Sequence, residues 1–425
     1  MDVRAGCGLD RGLRHSGRGH RVWRRRCERA ERTPTAEWSH VTGKVVDNCG
    51  DPAAGITVWA SGKATVISDA AGGFTFTDVT VPYDLFAVTP GAQVTLVGYN
   101  GLTRLDPIVP AATSTAPQRQ ASLTVSLSGG TNPDPGVQTV VQLDPEWGTS
   151  LTTAVTDGFR TDYQWCGPPT VVGTAHVLQY HMLDHTRFYY WNYGKVDNIA
   201  LAEGSDAQQA VAMTAIAQTA LTGEMVLPEG YTPQYHIMNI SFGSASGAIR
   251  LAFHQPTSTD FSYDTPVIPG ATIDLYVSAT DPSGRATAMT RRRLPVDATE
   301  LEFTLEPGLD LSAPAEAASG VDLDAQSFAW SATSGGLQQI IAQSPNFVFT
   351  VFTAGASVRL PAFAELGLGA VPSGTSFEWR VTRSAGYTPD DIAAPARFST
   401  PDGIQLGTHA EDSQQGSPFQ HFTTK

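Results

Sequence analysis

The sequence predicts a nearly all-β fold of tandem antiparallel β-sandwiches, and three features carry that prediction. They are an internal repeat, period-two alternation within its units, and turn residues between the alternating runs. The chain has 425 residues, too many for one sandwich of about 100 residues and enough for several modules.

The repeat has two sets of landmarks. Strand-like openings occur at residues 41–46, 136–141 and 222–227, and their glycines, Gly43, Gly136 and Gly223, lie 93 and 87 residues apart. Segments 122–127, 210–215 and 300–305 read as closing strands, and their starts lie 88 and 90 residues apart. Both sets imply three related units of about ninety residues, the size of a small sandwich. Alternation supports strands in each unit. Segments 272–277 and 300–305 put apolar side chains on one face and polar ones on the other, as a half-buried strand requires. Asn100-Gly101, Asp157-Gly158 and the run from Asp281 to Gly284 supply turns, and Pro82 and Pro228 sit at run ends, where proline removes no central ladder bond.

Segment 205–221 has a conflict of signals. Ser205 to Gln208 has the form of a capping box ahead of an Ala-rich stretch, which favours helix. The repeat register favours strand, and we assign strand. Residues 311–400 follow a different pattern, with strands around Trp330, Phe347 to Val351 and Trp379, and both tryptophans are expected to plug a core. The expected organisation is an arm at 1–40, modules at 41–128, 129–221, 222–310 and 311–400, and a flexible tail at 401–425, which is poor in apolar residues.

Charge narrows the function. Residues 1–32 hold ten arginines against four acidic residues, so they carry +6 of a total of −14, and the remaining chain carries −20. A body this acidic repels phosphate backbones and anionic lipid, which argues against a nucleic-acid partner. No run is long and apolar enough for a transmembrane helix. The arm lacks the apolar core of a secretory signal. We read it as a wrongly chosen start or shifted frame, with the export signal lost from the sequence. Of the four cysteines, Cys7 and Cys27 lie in the arm, and Cys49 and Cys166 lie in different units at unlike positions. Those two are expected to be free thiols. No Cys-x-x-Cys is present, so neither a zinc ribbon nor a thioredoxin-type site can form.

The first unit resembles the carboxypeptidase regulatory-like domain, a transthyretin-like seven-stranded sandwich. The matching residues are Val41-Thr42-Gly43-Lys44-Val45-Val46-Asp47, Gly55-Ile56-Thr57-Val58, Ser68-Asp69-Ala70-Ala71-Gly72-Gly73-Phe74-Thr75-Phe76 and Val79-Thr80-Val81-Pro82-Tyr83. The resemblance implies that Phe74 and Phe76 face the core. After Pro82 the chain departs from the pattern, and the second and third units match it only in outline. Residues 311–400 resemble a fibronectin type III or Ig-like module through Trp330 and Gly374-Thr375-x-Phe377-x-Trp379-x-Val381. Such sandwiches serve mostly as accessory, adhesion or spacing elements. The expected fold is therefore three transthyretin-like or Ig-like units and one fibronectin type III-like module.

Sites of chemistry are few. No histidine is followed three residues later by Glu, so the zinc motif of the carboxypeptidases is absent, and HExxH is absent too. Gly243-Ser244-Ala245-Ser246-Gly247 is superficially like a nucleophile elbow, but its centre is Ala245 rather than Ser. His176, His181, Asp184 and His185 form the densest set of metal-ligand types. On a helix His181 and His185 would share a face, but their surroundings read as strands, so solvated imidazoles are the simpler account. Asp322, Asp324, Asp390 and Asp391 are candidate Ca²⁺ ligands, but they lack EF-hand spacing and read more simply as loop acids. The strongest functional lead is the run from Phe188 to Tyr193. Strict alternation puts Phe188 and Tyr190 on one side and Tyr189, Trp191 and Tyr193 on the other. One side must be core, and the other either packs on a neighbouring module or forms a flat platform for sugar rings.

We therefore expect a non-catalytic, cofactor-free structural or binding protein of the cell envelope or exterior, acting as adhesion, scaffold or spacer. Its expected partners are polysaccharide or other surface proteins. One alternative is a carbohydrate-binding protein using Tyr189, Trp191 and Tyr193. The other is a metal-dependent enzyme with an intermodule site at His181, Asp184 and His185.

Overall fold

A computed structural model describes residues 38–47, 49–111, 119–129, 136–145, 160–184, 187–242, 248–331, 335–394 and 410–425. All of them belong to the compact unit Glu37–Lys425. They are β almost throughout, and the one α-helix among them is the single turn Pro389–Ile392.

Four sandwiches follow one another. In the first, the central strand Trp38–Val46 pairs antiparallel with Gly73–Thr80 and parallel with Ile108–Pro110. This small sheet faces a second one made by Thr57–Ala60, Val66–Ile67, Tyr83–Thr89 and Val94–Leu102. Val41, Val45, Phe74, Phe76, Leu85 and Tyr99 fill the space between. The same arrangement recurs twice. Arg119–Ser128 pairs antiparallel with Arg160–Trp165 and parallel with Asp206–Ala212. Ala217–Val226 pairs antiparallel with Asp260–Val267 and parallel with Leu301–Thr304. In each unit the first strand lies between a later strand and the last one.

Two of the repeated glycines have a common steric cause. Gly43 sits opposite Phe74, and a Cβ there would lie 2.2 Å from the Phe74 ring and 2.5 Å from the Pro107 carbonyl oxygen. Gly223 sits opposite Phe261, and its Cβ would lie 2.6 Å from that ring and 2.3 Å from the Leu301 carbonyl oxygen. An aromatic ring lies across the glycine at the same point of both sandwiches. Gly136 does not belong to this set. It lies against His181, just before Gln138–Pro145, a strand paired with Thr170–Met182 in the larger sheet of the second sandwich.

The landmark at 122–127 also changes role. It lies within Arg119–Ser128, whose partners among the described residues both come later in the chain, so it opens the second unit rather than closing the first. First and last strands are parallel neighbours with the same apolar face, so periodicity alone does not distinguish them. Segment 205–221 is β, as the register required: Asp206–Ala212 is a strand, and Ala217 begins another. Ladder pairing with Arg119–Ser128 outweighs helix propensity of a few tenths of a kcal/mol per residue.

The fourth sandwich packs Leu311–Ala313, Ser327–Trp330 and Ser357–Arg359 against Leu337–Gln343, Phe347–Thr353 and Ser376–Ser384. Trp330 and Trp379 are both in its core, and Phe328 meets Trp379 edge-on at 5.2 Å. This sandwich also joins its neighbours through the main chain. Phe347–Thr353 runs parallel to Val94–Leu102 of the first module. On the other side Glu411–Gly416 lies between Ala286–Leu294 of the third module and Ser376–Ser384 of the fourth. One fourteen-stranded sheet thus runs through three modules.

Two expectations are overturned here. The tail is not flexible over its described part, residues 410–425. Glu411–Gly416 and Gln420–Thr424 are both strands of the large sheet. Their inward residues are largely polar, which hid them from a hydrophobic pattern. Asp412 takes Arg292 and the Tyr387 hydroxyl, and Gln415 accepts from Arg383. Nor are the body cysteines free. Cys49 and Cys166 form a disulfide across the first two modules, with their Cα atoms 5.2 Å apart. Their unlike positions in the two units do not matter, because the contact is between modules and not between equivalent sites.

Candidate functional site

The aromatic run begins the strand Phe188–Ala202, which pairs along its length with Thr170–Met182. Phe188 and Tyr190 are buried, packed with Leu178 and Tyr180 into the core of the third module. The Phe188 backbone N–H donates to the Asp264 carboxylate at 3.0 Å, and the Tyr190 hydroxyl donates to the Asp264 carbonyl oxygen at 3.1 Å. The opposite face of this sheet, at Val177 and Gly194, lies over the core of the second module. Both faces of the sheet are therefore covered along much of the strand.

The three-residue platform does not form. Tyr180 opposes Tyr190 and Gln179 opposes Asn192, so Trp191 is the extra residue of a β-bulge. A bulge shifts alternation by one position. Beyond it Tyr193 lies opposite Leu178, on the buried side with Tyr190, where it packs against Phe242 with ring centroids 5.8 Å apart. Tyr189 and Trp191 remain together, edge to face at 4.6 Å, and Tyr189 is 45% exposed.

Tyr193, half-buried, instead forms a neutral pair with the buried His176. Its hydroxyl lies 2.7 Å from His176 Nδ1, and the imidazole stacks on Phe242 at 3.8 Å. Burial, helped by the Lys195 charge, pulls the His176 pKa down to about 4, and burial pushes the Tyr193 phenol up to about 12. A second such group, missed in the sequence, is His236. It is fully buried, with Nδ1 2.6 Å from the Tyr263 hydroxyl and Nε2 3.2 Å from the Met225 sulfur. Burial, then the neighbouring His254, lowers its pKa to about 3. The signal was present, since His236, Met238 and Ile240 share the inward parity of their strand.

These histidines make stability depend on pH. Both are neutral when folded, whereas an unfolded imidazole takes a proton below pH of about 6.5. Their contribution is complete above that value and is lost as pH falls toward about 4 for His176 and about 3 for His236. The expected loss is roughly 1.4 kcal/mol per pH unit for each histidine across its window. Urea midpoints at pH 7, 5.5 and 4.5 measure it. A midpoint that stays constant would show that both imidazoles titrate normally.

The other candidate ligands are engaged locally. His181 lies opposite Tyr189, and the Asp184 carboxylate holds the Arg187 backbone N–H and guanidinium. His185 and the 243–247 segment lie outside the described residues. Asp322 pairs with Lys425, and Asp324 accepts the Phe363 N–H at 2.9 Å. Asp390 accepts the N–H groups of Thr103 and Arg104 at 2.9 and 3.0 Å, and Asp391 completes a capping box with Thr388. Among the described residues no three His, Cys, Asp or Glu side chains converge on one point. Nor is any helix among them long and apolar enough to cross a membrane.

No family model matches the chain, and no curated protein matches it. Among solved structures it is similar to the Bacillus anthracis TIE protein, at 8% identity over 64% of this chain and 51% of that one, with a TM-score of 0.16. The chain thus spans about half the length of that protein. The N-terminal four Ig domains of Dscam1 isoform 4.44 match at 8% identity over 92% of this chain and all of that one, with a TM-score of 0.15. BcpA, the major pilin subunit of Bacillus cereus, matches at 8% identity over 64% of this chain and 99% of that one, with a TM-score of 0.13. Scores this low carry no argument about function.

Proposed function

We propose that the chain is a non-catalytic structural or binding protein of the cell envelope or exterior, acting as adhesion, scaffold or spacer. The observation that carries this reading is the Cys49–Cys166 disulfide between the first two modules. Such bonds persist in oxidising compartments and are rare where glutathione keeps thiols reduced. Main-chain pairing between modules supports the same reading, since the first, third and fourth share one sheet. The carboxypeptidase regulatory-like and fibronectin type III-like assignments belong to this proposal. So do the module limits, with the first join moved to between Ala111 and Arg119. The partners are polysaccharide or other surface proteins.

The test is a thiol map of the protein taken from its native source, alkylated before any reductant is added. A Cys49–Cys166 linked peptide is expected. Recovery of both as alkylated thiols would remove the ground for an exterior location.

A second reading, glycan binding by the aromatic strand, keeps the exposed Tyr189 and the half-buried Trp191, whose rings meet edge to face, and loses Tyr193 to the His176 pair. The metal-enzyme alternative has less support, because Asp184 is committed to Arg187.

A further inference from the structure

Across the seam between the third and fourth modules, on the outer face of the large sheet, lies a cleft of about 320 Å³. Gln234 and Tyr235 come from the strand Thr232–Ser241, and Tyr276 from Thr272–Thr280. Gln414 comes from the inserted C-terminal strand, and Arg380 and Thr382 from Ser376–Ser384. Small residues, among them Ala286, Ala288 and Gly416, leave the floor open between these walls.

Three features of this cleft point to a ligand. The polar ends of these six side chains find no hydrogen-bond partner among the described residues, unlike Ser278 and Thr287 beside them, which bond to Tyr235 and Gln414 backbone oxygens. Next, two tyrosines, Tyr235 and Tyr276, stand in the walls, and Tyr235 is held in place by stacking on Phe253, beside the cleft, at 5.3 Å. Finally, no Asp or Glu lines the cleft, although the chain beyond residue 32 carries −20, and Arg380 meets no carboxylate among the described residues. Its guanidinium is held 4.8 Å over the Phe419 ring, which orients it without neutralising it.

We infer that this cleft binds an oligosaccharide bearing carboxylated sugars. Tyrosine faces suit the C–H surfaces of sugar rings. Side-chain amides and hydroxyls on both walls match ring hydroxyls, each of which donates and accepts. A guanidinium that meets no carboxylate among the described residues fits a ligand carboxylate in a two-pronged hydrogen bond. The cleft crosses several strands, which are about 4.8 Å apart, so a chain of sugars fits better than a single ring. The site exists only in the assembled fold, because Gln414 reaches it through the inserted strand.

Calorimetric titration of the full chain tests this, with oligogalacturonate and alginate oligosaccharides as acidic probes and dextran oligosaccharides as the neutral one. Binding of at least one acidic probe is expected, with no heat from dextran. Arg380→Ala and Tyr276→Ala should each weaken it by about tenfold or more, the effect of losing one charge-assisted bond or one stacking face. Both variants should keep the parent melting temperature, because neither side chain is in the core. Tyr276→Phe keeps the ring and should retain binding within a few-fold. The inference is overturned if no acidic probe binds, if dextran binds equally well, or if acidic binding survives both alanine variants. Such a failure would leave the thiol map unaffected, so the two readings fail separately.

Discussion

A chain ended at residue 409 is expected to associate through bared strand edges and to melt well below the parent. Glu411–Gly416 fills the gap between Ala286–Leu294 and Ser376–Ser384, and its removal bares a strand edge on each module. Unpaired edges of this kind template pairing with other chains. Phe422, buried and stacked on Phe377 at 5.2 Å, would leave the fourth core, and deletion of one such ring costs about 3–5 kcal/mol. The buried Arg383 would keep Glu306 and the Gly335 carbonyl but lose Gln415, and a hydrogen bond to a charged group contributes about 1.5–3 kcal/mol. Size-exclusion chromatography and thermal melting decide the matter. A truncated chain that stays monomeric and melts with the parent would show that the segment is the loose tail its composition suggests.

The aromatic strand gives the second large effect. Phe188→Ala removes a ring that is 1% exposed at the junction of the second and third modules, and the expected loss is about 3–5 kcal/mol. Its neighbour Tyr189 is exposed, and Tyr189→Ala should stay within about 0.5 kcal/mol of the parent. Urea unfolding of the two variants measures the difference. Equal losses would mean that the face carrying Tyr189 is buried as well, and would end the second reading of the strand as a glycan platform.

The bulge at Trp191 illustrates how far a linear pattern reaches. Alternation correctly separated Phe188 and Tyr190 from Tyr189, because strand geometry fixes neighbouring side chains to opposite faces. It failed at Tyr193, because a bulge is set by the partner strand and has no signature in the aromatic run itself. The candidate glycan cleft was not legible at all. Its walls come from segments more than 100 residues apart, and its residues are ordinary surface types until the sheet aligns them.

The resemblance of the first unit implied the core roles of Phe74 and Phe76, and the repeat register implied strand within 205–221; by itself the sequence determined the β class, the alternating strands and the core roles of Trp330 and Trp379. These depend on local periodicity and on the need of large apolar side chains to leave water. Only the tertiary structure decided which strand opens the second unit, how Cys49 meets Cys166, and where the C-terminal strands insert. Each of these is a pairing between distant segments. Backbone hydrogen bonds are chemically alike at every residue, so the choice of partner is made by the packing of whole sheets. The polar C-terminal strands show this most clearly: Asp412 and Gln415 are buried because Arg292, Tyr387 and Arg383 wait for them in other modules.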